Sequence, residues 1–137
     1  MFPLVKTLPS YIKDTKHALQ IFDPIRFSGS HKFIFTMDVK SLYTVIPHCD
    51  GLGALKFFLN KRTLLEQSTT TLIRLAELVL TLNNVSFDGE HYQQISGVAM
   101  GTKIGPSYAN LFVGYVEQQI FKQYIGHIPD FFWQIHR

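Results

Sequence analysis

The chain lacks the features that mark several protein classes. One cysteine, Cys49, occurs among 137 residues, so an internal disulfide is excluded and a reducing compartment is the expected setting. No charge-free apolar run reaches the roughly 20 residues that a membrane-spanning helix needs, and the first residues do not form a signal peptide. Lysine and arginine are scattered, with Lys61-Arg62 the only adjacent pair. These absences favour an intracellular domain, or part of one, without a membrane partner or a basic arm.

Length and composition set the scale of the molecule. A chain of 137 residues is enough for one modest domain. Hydrophobic residues make up 46% of it, which is enough for a core and argues against global disorder. The net charge of +3 and the sequence pI near 9.0 are compatible with a polyanionic partner, but they are too mild to establish one.

The pattern of apolar residues and turn residues predicts an α+β fold. Residues 1–9 contain two prolines and are expected to be an extended segment that leads into the fold. Helices are predicted at residues 10–22, 50–60, 70–83 and 107–124. Asp88-Gly89 is a two-residue hairpin signal between strands predicted at residues 85–87 and 91–95.

Three of these helices carry more detailed expectations. Ser10 is expected to cap the first helix, and Ser68 or Thr69 the third. The third is apolar on nearly all sides, which is typical of a helix inside a larger body. Its inner stripe is expected to comprise Leu72, Leu75, Ala76, Val79 and Leu82, and that of the helix at 107–124 Tyr108, Leu111, Phe112, Tyr115, Val116 and Ile120.

Residues 33–39 are apolar, rich in aromatic and β-branched types, and too short for an amphipathic helix, so they predict a buried strand. Asp38 lies near its end. A carboxylate in a hydrophobic strand is unfavourable unless a cation meets it, and Mg²⁺ binds carboxylate oxygens together with substrate phosphates. The alternative is that Asp38 caps the turn that follows.

Residues 97–106 form a glycine-punctuated loop before the helix at 107–124. Glycines let a backbone approach a ligand closely, and a helix start presents N–H groups to anions, although many such loops bind nothing. Tyr43 either contacts a sugar or is simply packed. The six histidines form no ligand spacing with Cys49, so the adjacent His48-Cys49 is interpreted as an incidental loop pair.

Taken together, residues 35–44 and 99–112 resemble two motifs of the reverse transcriptase palm: a strand whose aspartate binds metal, and a glycine loop with its helix under template and nucleotide. Residues 45–48, 87–89 and 8–15 are similar to those of Penelope-like retroelements. The resemblance covers nearly the whole chain and implies RNA-directed DNA polymerase activity, a nucleotidyl transfer that uses Mg²⁺, an RNA template, a DNA primer and dNTPs. It also implies a nuclear location.

The resemblance assigns roles to individual residues. Asp38 is the implied catalytic ligand of both Mg²⁺ ions, and Val39 offers its carbonyl to one of them. Tyr43 falls on the position where a bulky ring opposes a 2′-hydroxyl. Implied contacts to nucleotide or template also involve Met100, Gly101, Thr102, Lys103, Pro106 and Asn110. Two positions depart from the family: Met100 replaces a usual glutamine, and Gly105 a usual serine.

The implied fold is a partial palm, ordered as strand, helices, hairpin and long helix, within a single domain over residues 1–137. The paired aspartates of a Tyr-x-Asp-Asp hairpin, most of the fingers and the thumb are missing, and residues 125–137 are interpreted as a truncated C-terminal segment. We therefore expect this chain alone not to polymerise. The alternatives are a non-catalytic nucleic-acid-binding remnant and a decayed retroelement reading frame.

Overall fold

A computed structural model describes residues 2–26, 33–63 and 67–135 of the chain. Its elements follow the chain as α1 Phe2–Val5, β1 Tyr11–Ile12, α2 Thr15–Phe22, α3 Leu42–Val45, α4 His48–Asn60, α5 Thr69–Thr81, β2 Asn84–Phe87, β3 Glu90–Gln93, α6 Gly105–Gln123 and β4 Gln134–Ile135. The fold is α+β, as the sequence predicts. Within the described residues the strands form two pairs, β1 with β4 in parallel and β2 with β3 antiparallel.

The core lies where α4 packs against both α5 and α6, and α1 packs against α6. One cluster of buried side chains joins these four helices and the segment after α1: Val5, Leu8, Leu55, Phe58, Leu59, Ala76 and Leu111. A second cluster lies under the loop before α6: Ile46, Leu80, Val98, Tyr108 and Ala109. The second cluster holds that loop in place, because Val98 lies before the turns of the loop and Tyr108 lies at the start of α6.

The predicted hairpin turn and the predicted cap of one helix are confirmed. Asp88 and Gly89 form the two-residue turn with φ values of 51° and 78°, the left-handed conformation that this turn requires at both positions. The Ser68 hydroxyl accepts a hydrogen bond from the Thr71 N–H at 3.0 Å, so Ser68 is the cap of α5. Asp50 lies in the first turn of α4, next to the positive end of the helix dipole.

The prediction for the N-terminal region is wrong in two places. Residues 2–5 form a helical turn rather than an extended segment, since this places Val5 and the following Leu8 in the core. The next helix begins at Thr15 instead of Ser10, because Asp14 caps it by accepting from the His17 N–H at 2.8 Å.

The faces of α5 and α6 also differ from the predicted stripes. Leu75, Val79 and Leu82 of the predicted α5 stripe are exposed, whereas Leu80 is buried in the second cluster. Helix α5 is apolar on nearly all sides, so its sequence does not determine which line of side chains meets its neighbour. On α6, Val116 and Ile120 are exposed as well.

The prediction of a buried strand at residues 33–39 is wrong. These residues have no regular secondary structure, and every one of them is exposed; Phe33 and Met37 retain 90% and 75% of their surface. A strand is stable only when its backbone bonds to a neighbour, and the two strand pairs of the described chain do not include this segment. The apolar side chains of the segment are therefore exposed to solvent.

The solvent-accessible surface of the chain is larger than that of a compact monomer of the same mass. The solvent-accessible surface is 10463 Å², against about 7,300 Å² for a compact monomer of this size. No helix of the described residues is long and apolar enough to cross a membrane.

Glu117 on α6 is a half-buried carboxyl that connects to the N-terminal region. It accepts a hydrogen bond from the buried Ser10 hydroxyl at 2.8 Å. Burial raises the pKa of Glu117, although the bond from Ser10 partly opposes this. The carboxylate is thus held in surroundings that favour its neutral form.

Replacing Phe33 and Phe35 by serine is expected to reduce self-association of the chain. An exposed apolar segment that joins neither strand pair of the described residues is a template for pairing with another chain. Each phenylalanine buried in such a contact contributes about 1.5–3 kcal/mol. Sedimentation velocity should show at least about a tenfold weaker association. The control is the pair Ile95→Ser and Ile125→Ser, two exposed side chains outside the segment. An equal reduction in the control would contradict the assignment to residues 33–39.

Glu117→Gln is expected to raise the melting temperature at pH 7 by a few degrees. Because the folded-state pKa is raised, the neutral carboxyl contributes stability below the unfolded pKa of about 4.3, and this is lost as pH rises through the folded pKa. The glutamine carbonyl still accepts from Ser10 and carries no charge to desolvate. The difference between the variants should disappear near pH 3.

The control for this experiment is Glu77→Gln, at an exposed carboxylate paired with Arg74 at 2.6 Å. It should not stabilise the protein at pH 7. A Glu117→Gln variant that melts at or below the wild-type temperature at pH 7 would show that burial of the carboxylate does not destabilise the fold.

Candidate functional site

An open cleft brings together two segments that lie far apart in the sequence. Tyr43 contributes one wall, and the loop before α6 contributes the other. The cleft has a volume of about 420 Å³, and it is lined by Tyr43, Ala99, Met100, Gly101, Thr102, Gly105 and Pro106. We call it the Tyr43 cleft.

The Tyr43 wall is a tight turn fixed by its own backbone. Ser41 has a left-handed φ of 56° and precedes the single helical turn α3. Its carbonyl accepts from both the N–H and the hydroxyl of Thr44, at 2.9 and 3.0 Å. Pro47 is extended and immediately precedes α4, so that helix begins at His48, five residues after the tyrosine. These features hold Tyr43 between the exposed segment and the core.

Gly97 and Val98 bind this turn through two main-chain hydrogen bonds and one bond to a side chain. The Val98 N–H donates to the Tyr43 carbonyl at 2.6 Å, and the Gly97 N–H donates to the Ile46 carbonyl at 2.8 Å. The Gly97 carbonyl in turn lies 2.8 Å from His48 Nε2. We refer to these three bonds as the clasp.

Gly97 cannot be replaced by another residue without breaking the clasp. Its φ of +76° lies in the region that favours glycine, and a Cβ there would lie 2.3 Å from the Tyr43 carbonyl oxygen and 2.7 Å from the Thr44 Cα. Both neighbours are backbone atoms, which cannot rotate away as a side chain would. Any side chain at this position therefore separates the two segments.

The loop itself is a succession of short turns that ends at α6. The Thr102 N–H and hydroxyl both donate to the Ala99 carbonyl, at 3.2 and 2.9 Å, and the Gly105 N–H donates to Thr102. Gly101 has a φ of +96° with open space around it, so its requirement is conformational. Pro106 occupies the first turn of α6, where its missing N–H costs nothing.

Gly105 brings Tyr43 close to the loop. A Cβ at this position would lie 3.7 Å from Cε1 of the Tyr43 ring and 3.1 Å from the Thr102 hydroxyl oxygen. The ring therefore packs directly over the start of α6. A serine here, the residue usual in the resembled family, would have to share this space with Thr102.

The residues that line the cleft are uncharged, so a ligand would bind mainly through van der Waals contact and polar groups. Its walls are an aromatic ring, a methionine that is 81% exposed, a proline and small residues. Such a surface suits a flat or partly apolar group with polar atoms at its edges, as in a nucleoside. It contains no acidic or basic side chain among its lining residues.

The predicted site residues divide into two sets. The structure brings Tyr43, Met100, Gly101, Thr102 and Pro106 together in the cleft. The others do not line it: Asp38 and Val39 lie on the exposed segment, Lys103 is exposed, and Asn110 is half-buried on α6. Asp38 precedes Tyr43 by five residues, so their Cα atoms lie within about 18 Å of each other.

A Mg²⁺ site needs more than Asp38 supplies. In residues 2–26, 33–63 and 67–135, no group of three histidine, cysteine, aspartate or glutamate side chains is close enough to hold a metal ion. Asp38 is an exposed, single carboxylate, and one carboxylate binds Mg²⁺ weakly. The described residues therefore do not fit a complete metal site.

Tyr108 supports the cleft from below. Its side chain is buried on α6, and its hydroxyl has no hydrogen-bond partner among the described atoms. The ring fills the space beside Gly51, where a Cβ would lie 1.9 Å from the hydroxyl oxygen. Burial, followed by the nearby Cys49 and Asp50, raises the pKa of Tyr108 to about 12. The phenol thus stays neutral and packs α6 against the start of α4.

Sequence reasoning missed the residues that hold the cleft together. His48 is interpreted above as an incidental neighbour of Cys49, whereas it bonds to Gly97. Gly97 is predicted only as part of a loop, and nothing in the sequence pairs it with residues near Tyr43. No local signal identifies such a contact, because the partners are 49 positions apart.

Comparison with protein-family models, curated proteins and solved structures finds no significant match for the chain.

Gly97→Ala is expected to destabilise the fold by about 2 kcal/mol or more, since it combines positive φ with a backbone collision. Chemical denaturation monitored by circular dichroism measures the change. The matched control is Gly53→Ala, at a helical glycine with nothing within 4 Å of its Cβ position, where alanine should stabilise by about 0.5–1 kcal/mol. Equal effects at the two positions would contradict the close approach at Gly97.

Proposed function

We propose that this chain is the middle part of a reverse transcriptase palm, from the RNA-directed DNA polymerase of a Penelope-like retroelement. The observation that carries the proposal is the Tyr43 cleft. The resembled family needs its sugar-facing ring and its glycine loop side by side. Tyr43 and Gly101 come from two separate motifs and line the same cleft.

The chemistry of the cleft supports a nucleotide as its ligand. The Tyr43 ring lies over the start of α6, near Gly105, and presents a rigid edge to anything bound there. A ring in this place leaves room for a 2′-deoxyribose and collides with a ribose 2′-hydroxyl, so selectivity arises by exclusion. Met100 is highly exposed at the mouth of the loop and offers apolar contact in place of the amide that is usual in the family.

The proposed substrates are a deoxynucleoside triphosphate, an RNA template and a DNA primer, and the proposed setting is the nucleus. Mg²⁺ would supply charge neutralisation at the triphosphate when bound. Of the residues described, only Asp38 and the carbonyl of Val39 stand at positions that the family uses as ligands, and these two do not make a complete metal site. We therefore expect nucleotide binding, and not complete catalysis, from this chain alone.

Tyr43→Ala is expected to abolish discrimination between dTTP and 5-methyl-UTP, which differ only in the 2′-hydroxyl. Wild-type protein should bind dTTP at least about tenfold more tightly than 5-methyl-UTP, since a misfitting group in a pocket is worth about 1–3 kcal/mol. The alanine variant should bind both equally, because the ring no longer excludes the 2′-hydroxyl. Titration by isothermal calorimetry, with Mg²⁺ and an RNA–DNA primer–template present, measures both affinities.

The control is Tyr124→Ala, at an exposed tyrosine after α6 that does not line the cleft; it should retain the preference for dTTP. Equal binding of dTTP and 5-methyl-UTP by the wild type would overturn the proposed function. Salt-dependent binding of the primer–template without any nucleotide binding would favour the non-catalytic remnant. Primer extension abolished by Asp38→Asn would contradict the expectation that this chain alone is inactive.

A further inference from the structure

We infer that His48 is the positioning residue of the Tyr43 cleft: its ring holds Gly97, and through Gly97 it keeps the Tyr43 turn against the loop before α6. The claim that a nucleotide feels this effect rests on the proposed function. The contact itself does not depend on what the cleft binds.

The hydrogen-bond geometry determines the chemistry of the contact. His48 Nε2 lies 2.8 Å from the Gly97 carbonyl oxygen. A carbonyl oxygen only accepts, so the proton must be on Nε2. His48 is half-buried, which partly shields the bond from water and makes it worth more than one at the surface.

Both polar groups of Gly97 are bonded to the segment that follows Tyr43. Its N–H donates to the Ile46 carbonyl, and its own carbonyl accepts from His48. Gly97 has no side chain with which to hold itself. The next residue, Val98, donates to the Tyr43 carbonyl itself. A loss of the His48 bond therefore loosens the residue adjacent to the bond that fixes Tyr43.

The His48–Gly97 contact joins two well-packed parts of the fold, so its effect should stay local. His48 is the first residue of α4, a helix of 13 residues with five buried positions. Val98 is buried in the second cluster together with Ile46 and Tyr108. His48 thus projects from a fixed helix onto Gly97, the glycine that bonds the loop to the segment after Tyr43.

A pair of variants isolates the Nε2 donor. In His48→Gln the side-chain amide nitrogen reaches the position of Nε2, whereas in His48→Asn it reaches only that of Nδ1. Both replacements are neutral, polar side-chain amides, and they differ by one methylene in the reach of the donor. A purely structural need for a polar residue at this position would treat them alike.

The test measures hydrogen–deuterium exchange of the intact chain by mass spectrometry, together with dTTP binding in the presence of Mg²⁺. We expect His48→Asn to speed exchange in the peptide covering residues 96–99 by about two- to tenfold, as the loss of one hydrogen bond would. The exchange rate of peptides from α5 should not change. We expect its dTTP affinity to fall by a similar factor. His48→Gln should match the wild type in both, and His91→Ala, at an exposed hairpin histidine, is the control.

Each outcome decides the inference. Unchanged exchange at residues 96–99 in His48→Asn, or faster exchange throughout the chain, would overturn the positioning role. The same exchange in the Gln and Asn variants would overturn the assignment to Nε2. Faster local exchange in His48→Asn, with no dTTP binding by the wild type, would support the contact and overturn the proposed function instead.

Discussion

The close approach of Gly97 to the backbone of Tyr43 and Thr44 is the constraint on which the rest of the site depends. A Cβ at Gly97 would collide with main-chain atoms on the opposite segment, so only glycine allows the N–H groups of Gly97 and Val98 to reach their acceptors. Those bonds place one wall of the cleft. The other wall follows from the turns that end at Gly105, and Gly105 in turn leaves room for the Tyr43 ring. Two glycines therefore do more to shape this site than any charged residue does.

The clasp is stable because both of its segments rest on buried side chains. Ile46 and Val98 share a cluster with Leu80 and Tyr108, so helices α5 and α6 hold the clasp from below. Away from this region the apolar surface is less well covered. Residues 33–39 and the outer line of α5 are exposed, which is the pattern of a surface that pairs with further protein. A well-packed site next to exposed apolar surface is consistent with the proposed origin in a larger palm.

The sequence predicts elements better than it predicts their partners. The hairpin turn at Asp88-Gly89 and the cap at Ser68 depend on neighbours in the chain, and both are present. The strand at residues 33–39 depends on a distant partner, and the described residues provide none. The buried face of α5 was misplaced because an all-apolar helix carries no sign of which side meets its neighbour. Similarly, Tyr43 and Gly101 are candidates from the resemblance, whereas His48 and Gly97 emerge only from their contact across 49 positions.

The account therefore depends on Tyr43 lying against the start of α6. The most direct measurement is the nuclear Overhauser effect between the Tyr43 ring protons and the α-protons of Gly105, at a concentration low enough to limit self-association. The distance of 3.7 Å from the Gly105 Cβ position to Tyr43 Cε1 predicts a clear cross-peak. Ring protons that show contacts only to residues near Tyr43 in sequence would contradict the cleft and the function proposed for it.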